Sequence, residues 1–278
     1  MKYTIKDLRK QFPDDNACLA YIFKAKYGAD YPCPKCSKTG FYRVKGRKCY
    51  ACAWCGYQIH PIAGTIFHKS STKLTDWFHA LFLFSASKNG VSAKELERQL
   101  GVTYKTAWRI AKQIRQLMQD NGGKLSGIVE VDETAIGGYK RGDQGGHKKA
   151  TVMGMVKRDG QIRTKQLKGR ETKTMLATLQ QNVRAGTKLM TDDYPVYRKT
   201  KALGYKHSVI NHSKEKYVRG DVHTNTIEGF WSQFKRSLSG TYHSVSPKYL
   251  QMYADEFAYR YNHRQDGALF PLLLGRLL

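Results

Sequence analysis

The stretch "IVEVDETAIGG", residues 128–138, sets the reading of the larger half of the chain. Ile128 to Asp132 reads as a strand that ends in an acid. Alternation along that strand puts Glu130 and Asp132 on one face and Glu133 on the other. Before it, "DNGGKLSG" (120–127) reads as a linker. After it, "KKATVMGMVKRDGQIRTKQLKG" predicts two strands joined by a turn at Asp159 and Gly160. "ETKTMLATLQQNVRAG" predicts a helix of about sixteen residues, and "TKLMTDDYPVY" a strand ending in acids. Residues 205–224 are polar and basic without a clear period and read as a strand plus loop. "NTIEGFWSQFKRSL" and "SPKYLQMYADEFAYRYNHR" read as helices. Strands followed by helices predict a mixed α/β domain over 123–278.

Three acids in that domain sit at element ends: Asp132, Asp192 and, in the first turn of a helix, Glu228. Carboxylates placed this way can converge at one end of a sheet and hold two divalent metals, and hard oxygen ligands suit Mg²⁺ or Mn²⁺. Each has a competitor. Glu133 adjoins Asp132, which is preferred because the next residue already leaves the strand. Asp193 adjoins Asp192, which directly follows the apolar "KLMT". For Glu228 the competing reading is a capping box with Asn225. Ile227, Trp231, Phe234 and Leu238 repeat at helical spacing and predict a buried stripe. Lys235 lies nearly on the face of Glu228, roughly 10 Å along the helix, where it can meet a phosphate. Lys235 and Arg236 can equally form a solvated basic face. His147, His207, His212, His223 and Tyr194 are further candidates to line the site.

Five of six cysteines lie in "CPKCSKTGFYRVKGRKCYACAWC", residues 33–55. Two Cys-x-x-Cys knuckles at this separation are a zinc-ribbon signal. Cys49, Cys52 and Cys55 form overlapping knuckles. Cys33, Cys36, Cys52 and Cys55 are the expected ligands of a structural Zn²⁺, because Gly56 suits the turn after a final ligand, which leaves Cys49 spare. Cys18 sits on an apolar helical face and reads as core. An N-terminal helix and this ribbon make up 1–70.

Residues 71–122 read as helical. "LTDWFHALFLFSAS" is apolar enough for a buried helix. In "VSAKELERQLGVTYKTAWRIAKQIRQLM", Ser92 is an N-cap with Glu95 as its capping-box partner, Gly101 makes a tight turn, and a second helix starts near Thr103. Helix, glycine turn, helix is the helix-turn-helix pattern, with an ordinary helical hairpin as its plain alternative. Ala107, Ile110 and Ala111 would face the core. Thr103, Tyr104, Lys105 and Arg109 would face a DNA groove.

The 278 residues carry 48 Lys and Arg against 22 Asp and Glu, a formal net charge of +26. Such a charge repels itself unless a polyanion shares the surface; nucleic acid is the expected partner, with a membrane surface as the alternative, though no long basic amphipathic helix of the interfacial type is seen. At 41% hydrophobic residues the chain has enough apolar matter for a packed core. No apolar run reaches the length of a membrane span, and the N-terminus lacks the apolar segment of a signal peptide. The expectation is a cytoplasmic, nucleoid-associated protein with reduced thiols.

At "CPKC", "CAWCGYQIHPIAGTIFH", "VEVDETAIGG", "TDDYPVY", "HTNTIEGFWSQFKR" and "EFAYRYNHR" the sequence resembles the bacterial insertion-sequence transposases with an N-terminal zinc ribbon and a ribonuclease-H-like Asp-Asp-Glu (DDE) domain, the ISXO-like group. The motifs run in the family's order from residue 33 to residue 264. The resemblance implies an α/β multidomain chain: zinc ribbon, helix-turn-helix, then a ribonuclease-H-like mixed sheet flanked by helices. It implies Asp132, Asp192 and Glu228 as the metal-binding triad, Lys235 as the basic residue after the Glu, and Cys52 and Cys55 as the second knuckle. The implied activity is Mg²⁺-dependent DNA transposition on double-stranded DNA, at the element's own inverted-repeat ends and at a target. Joining two ends implies a homodimer or larger assembly on DNA. The rival readings are a zinc-ribbon/helix-turn-helix regulator with a non-catalytic C-terminal half, and a nuclease on the same fold.

Overall fold

The computed structural model describes residues 3–120, 122–137, 149–209 and 223–277. They divide into two compact units. One holds the described parts of Met1–Ser87, Val91–Leu117 and Asp266–Leu278; the other holds those of Lys88–Gly90 and Met118–Gln265.

The first unit opens with α1 (Ile5–Gln11), capped by Thr4 in a capping box with Asp7, and α2 (Asp15–Tyr27), capped by Asp14. A small antiparallel sheet follows in the order β1 (Phe41–Arg43), β2 (Tyr50–Cys52), β3 (Gln58–Ile59). Three helices come next: α3 (Leu74–Ala86), α4 (Ala93–Leu100) and α5 (Tyr104–Leu117). Ser92 caps α4 by accepting the Glu95 N–H. The reciprocal half of the expected capping box is not seen, because the Glu95 carboxylate bonds Arg98 and Gln99. Gly101 ends α4 in the left-handed region at φ 63°, which lets the chain turn directly into α5. Ala107, Ile110 and Ala111 are buried, as the pattern predicts, and Ile114 is buried with them.

The chain's last helix, α9 (Leu269–Gly275), belongs to this first unit rather than to the larger sheet domain in which the sequence reading placed it. The reason is apolar packing. Phe270 is buried and stacks on Tyr3 at 4.7 Å, with Phe12 and Phe82 within about 6 Å. The expected ribbon and helix-turn-helix domains likewise fall in one unit.

The second unit is built on a five-stranded sheet: β4 (Ile128–Ile136), β5 (Ala150–Lys157), β6 (Ile162–Leu167), β7 (Lys188–Thr191) and β8 (Lys206–Val209), in the order β6-β5-β4-β7-β8. β5 runs antiparallel to β4 and β6, while β4, β7 and β8 are parallel. This 3-2-1-4-5 order is a ribonuclease-H-like sheet. The β5–β6 turn forms where expected, with Asp159 at φ 53°. One face packs against α6 (Thr172–Asn182) and the 3₁₀ segment Pro195–Leu203 through Val129, Val131, Met153, Met155, Met175 and Leu179. The other packs against α7 (Asn225–Ser237) and α8 (Leu250–Asn262) through Val152, Val156, Ile227, Trp231, Phe234 and Phe257. The linker reading of 120–127 holds only in part. Leu125 is buried and bridges Val183, and Asp120 pairs with Arg163 at 3.0 Å. The helix read from "ETKTMLATLQQNVRAG" stops at Asn182, because Val183 turns extended to make that bridge.

β6 is an edge strand, whose free backbone groups invite pairing with another chain. Two side chains of α8 cover them: Asn262 accepts the Ile162 N–H, and Gln251 accepts the Gln166 N–H and donates to the Thr164 carbonyl.

Candidate functional site

Parallel pairing of β4 with β7 sets Ile128 beside Lys188 and Glu130 beside Met190, an offset of 60 residues. The same offset separates Asp132 from Asp192, so the register brings them level, Asp192 just past the end of β7. Alternation on β4 sends Val129 and Val131 into the α6-side core, and so turns Glu130 and Asp132 toward α7. Opposite Asp132 on β5 stands Gly154. A Cβ there would lie 2.6 Å from Trp231 Cζ2 and 2.7 Å from Ile227 Cδ1. The missing side chain lets α7 lie against the sheet and carry Glu228 to the Asp132 face. Gly154→Val should therefore destabilise the chain by about 1–3 kcal/mol and lower activity along with it, read by urea melts and cleavage assays.

Burial, with the charges of Asp192 and Glu228, raises the Asp132 carboxyl from 3.8 to about 6. The buried Trp231 indole N–H opposes the rise but makes no full hydrogen bond. Glu133 points to the other face, where burial and the charges of Asp132 and Asp192 push it up to about 8, against Arg170. Asp192 is half-buried and accepts the Tyr194 N–H at 3.2 Å, whereas Asp193 is exposed. The Thr191 hydroxyl donates to the Asp192 carbonyl at 2.6 Å, so His207 Nε2, at 2.9 Å from that hydroxyl, must be its donor. Burial lowers the His207 pKa. His207 is thus committed to Thr191. His147 and His212 lie outside the described residues.

Because the folded Asp132 titrates above its ordinary value, the metal-free fold keeps its full stability from this group below pH 3.8 and loses it as pH rises through about 6. Asp132→Asn removes that cost. In chelator the variant should be more stable than the parent by about 1–3 kcal/mol at pH 8, the gain shrinking toward pH 4. Thermal melts across that range decide it; a variant less stable than the parent at pH 8 contradicts the assignment.

Glu228 stands exposed in the first turn of α7, its Oε1 accepting from the Thr224 hydroxyl at 2.7 Å. Asn225, expected from the sequence as the cap, is the first helical residue, and Thr224 holds the N-cap position without a side-chain cap bond. The backbone N–H groups of Thr226 and Ile227 go instead to Glu130. Sequence reading missed this role: alternation placed Glu130 on the right face, but no local pattern shows which helix lands there. Lys235 and Arg236 are exposed further along α7, Arg236 donating to Ser232.

In the first unit, the sulfurs of Cys33, Cys36, Cys52 and Cys55 all lie within 4.8 Å of one another, with Cys33–Cys55 and Cys36–Cys52 at 3.6 Å. A tetrahedral Zn–S₄ site with ~2.3 Å bonds needs sulfurs ~3.8 Å apart, so the set fits zinc. Ser37 at φ 58° and Gly56 at φ 71° make matching turns after each knuckle. Cys49 is outside the cluster, buried, with Gln58 Oε1 3.8 Å from its sulfur. Cys18 is fully buried on α2.

On the helix-turn-helix, Tyr104 and Lys105 are exposed at the start of α5, and Thr103 is exposed while its hydroxyl accepts the Thr106 N–H. Arg109 departs from the expected outward orientation. It is half-buried, donates to Ser70 Oγ at 2.9 Å and lies over the Trp77 ring, because the flat guanidinium stacks where a long apolar stem is already covered.

Comparison with known proteins agrees with this arrangement. The model of the ISXO2-like transposase domain matches residues 124–262, half of the chain, and that of the transposase zinc-ribbon domain matches residues 13–58. An uncharacterized protein in transposable element ISH50 of Halobacterium salinarum is 25% identical over 90% of this chain and 92% of its own length. A chain in the cryo-EM structure of a simian T-cell lymphotropic virus intasome in complex with PP2A regulatory subunit B56 gamma overlaps at a TM-score of 0.32 and 13% identity, covering 66% of this chain and 64% of that one. At that score the overlap establishes neither fold nor function. With a four-cysteine ribbon, a ribonuclease-H-like sheet and both family matches in the same order along the sequence, the chain belongs to the ISXO2-like transposases.

Proposed function

We propose that this transposase binds the terminal inverted repeats of its own insertion sequence, cleaves the element's ends and joins each freed 3′-OH to target DNA. The observation that supports the reading is the register that sets Asp132 level with Asp192, with Glu228 near enough on α7 that its charge adds, after burial and Asp192, to the rise of the Asp132 carboxyl. In so basic a chain, three acids on neighbouring elements with one raised carboxyl are the natural candidates to hold a cation, drawn together when it binds. Two Mg²⁺ or Mn²⁺ ions, when bound, supply activation of the attacking oxygen and stabilisation of the leaving one. The protein's part is placement. β4 pairs with β5 at Asp132 and with β7 up to Glu130, and so fixes Asp132; the Tyr194 N–H turns Asp192; α7 presents Glu228.

In the first step water bonds to phosphorus and the P–O3′ bond breaks, leaving a 3′-OH on the element. In the second that 3′-OH bonds to a target phosphorus and displaces the target's own 3′ oxygen. Alignment of the strands supplies much of the rate, and exposed Lys235, two turns past Glu228, faces the side on which a phosphate would run.

DNA recognition is assigned to the first unit. Thr103, Tyr104 and Lys105 offer the exposed start of α5 to the major groove, with Arg109 bracing the helix from behind. The ribbon adds a second surface. From Tyr31 to Thr75 there are eight Lys and Arg and no acid. Arg43 and Lys48 are tied to backbone carbonyls, whereas Lys35, Lys38, Lys45 and Arg47 are exposed beside the exposed rings of Tyr42, Trp54 and Tyr57. Lys105→Ala should weaken binding across sequences and lower the slope of log affinity against log salt by about 1. Among the described residues no helix is long and apolar enough to cross a membrane. A cytoplasmic protein acting on the nucleoid, assembled as a dimer or larger on paired ends, completes the proposal.

The test is strand transfer. A labelled pre-cut DNA end from the gene's own flank is incubated with the protein, Mg²⁺ and a plasmid. Joined product supports the proposal. Specific end binding without cleavage or joining would leave a regulator, and cleavage without joining a nuclease.

A further inference from the structure

We infer that Glu130, which no part of the three-acid reading uses, is a positioning residue that fixes Glu228 through the N-terminus of α7. The inference rests on the proposed metal site and adds to it a fourth carboxylate, one that binds no metal. Glu130 is 0% exposed and lies two residues before Asp132 on the same strand face. Its Oε2 accepts the backbone N–H groups of Thr226 at 3.0 Å and Ile227 at 3.1 Å. Its Oε1 accepts the Thr226 hydroxyl and Arg158 Nε, both at 3.0 Å, with His223 Nδ1 3.4 Å away. Arg158 also donates to the His223 carbonyl at 3.0 Å, which holds the chain entering the helix.

These are the bonds of an N-cap, made from a strand instead of from the helix's own cap residue. Thr224, in the cap position, spends its hydroxyl on Glu228. Oε2 of Glu130 meets two consecutive N–H groups, so it sets both the height and the rotation of the first turn. Glu228 is in that turn, is exposed, and has the Thr224 hydroxyl as the hydrogen bond described for its carboxylate. One strand therefore supplies Asp132 and also locates the helix that supplies Glu228. Glu130 itself is fully engaged and enclosed, which keeps it from competing for the cation. The arrangement gives a basis for Glu228 standing at a defined distance from Asp132 before DNA arrives.

The test is a double-mutant cycle on Mn²⁺ binding by the full chain, measured by titration calorimetry at fixed pH, with melts run alongside. Glu130→Gln keeps the volume but leaves one acceptor oxygen where Glu130 uses two, so an NH₂ must face either the two N–H groups or Arg158 and the Thr226 hydroxyl. It should weaken Mn²⁺ binding about tenfold, the size found for groups that orient a metal ligand. In a Glu228→Ala background the same substitution should change binding less than twofold, because its route to the metal is gone. A residue that merely supports the fold would weaken binding equally in both backgrounds, and that result overturns the inference. So does unchanged Mn²⁺ affinity in Glu130→Gln when binding still requires Glu228. Mn²⁺ binding indifferent to Glu228→Ala removes the three-acid site itself, and the positioning role with it. Should Glu130→Gln melt early, Thr226→Pro, which removes both the N–H and the hydroxyl that Thr226 gives Glu130 and lies within the first helical turn, asks the same question and must give the same cycle.

Discussion

Asp132→Asn is expected to cut cleavage and strand transfer by about a thousandfold or more while leaving affinity for the element's ends unchanged. The substitution is nearly isosteric, so the packing of Trp231 and Ile227 over Gly154 survives and any loss is chemical. Asp132 is the acid proposed at the centre of the site: it is level with Asp192 by register, and its carboxyl is raised by burial, by Asp192 and by Glu228. The variant should be inactive and, without metal, more stable, since it removes a carboxylate whose charge is penalised first by burial and then by its acidic neighbours. Asp193→Asn is the control. Asp193 is exposed, and its loss should leave activity within about twofold, on the scale of an ordinary surface change. Activity retained in Asp132→Asn would remove Asp132 from the site, and activity lost in Asp193→Asn would put Asp193 in the place given to Asp192.

The second large effect concerns the ribbon. Cys52→Ser, or a strong chelator, should unfold residues 33–58 and abolish specific end binding. The three ribbon strands span only three, three and two residues, too little hydrogen bonding and buried surface to hold a sheet unaided. Structural zinc contributes about 10–16 kcal/mol in small zinc modules, so the metal decides whether the ribbon is folded. Cys49→Ser separates the two kinds of cysteine. Its sulfur lies outside the cluster, so zinc content should stay at one per chain, with a stability loss of about 1–2 kcal/mol from placing a hydroxyl in a buried site. Zinc released with a chromogenic chelator, measured beside thermal melts, checks both. Zinc lost in Cys49→Ser and kept in Cys52→Ser would contradict the ligand set.

Much of this was legible from the chain alone, for identifiable reasons. The ribbon ligands were readable because tetrahedral coordination demands a fixed spacing, and Gly56 marked which of two overlapping knuckles closes it. Asp192 does follow the apolar strand β7, but the strand expected to end at Asp132 runs on to Ile136, so Asp132 and Glu133 are told apart by the face each takes on β4, and the 60-residue parallel offset sets Asp132 beside Asp192. The buried stripe Ile227, Trp231, Phe234, Leu238 followed from period alone. Other features depend on what meets in space. Asn225 and Glu228 have the spacing of a capping box, yet Glu130, almost a hundred residues earlier, reaches the helix start first. Arg109 reads as an outward DNA contact until Ser70 and Trp77 are seen behind it. The final helix reads as part of the sheet domain because it follows that domain in sequence, but its phenylalanine finds its partners near the N-terminus. Period and spacing reveal local form; they carry no information on which distant surface a side chain will meet.

The central claim is that Asp132, Asp192 and Glu228 form one divalent-metal site for phosphoryl transfer. It is tested most directly by anomalous scattering from Mn²⁺ in crystals of the full chain bound to a pre-cut DNA end. The prediction is two manganese peaks held between the three carboxylates, lost in Asp132→Asn crystals. Manganese bound elsewhere, or bound without any of the three acids, would contradict it.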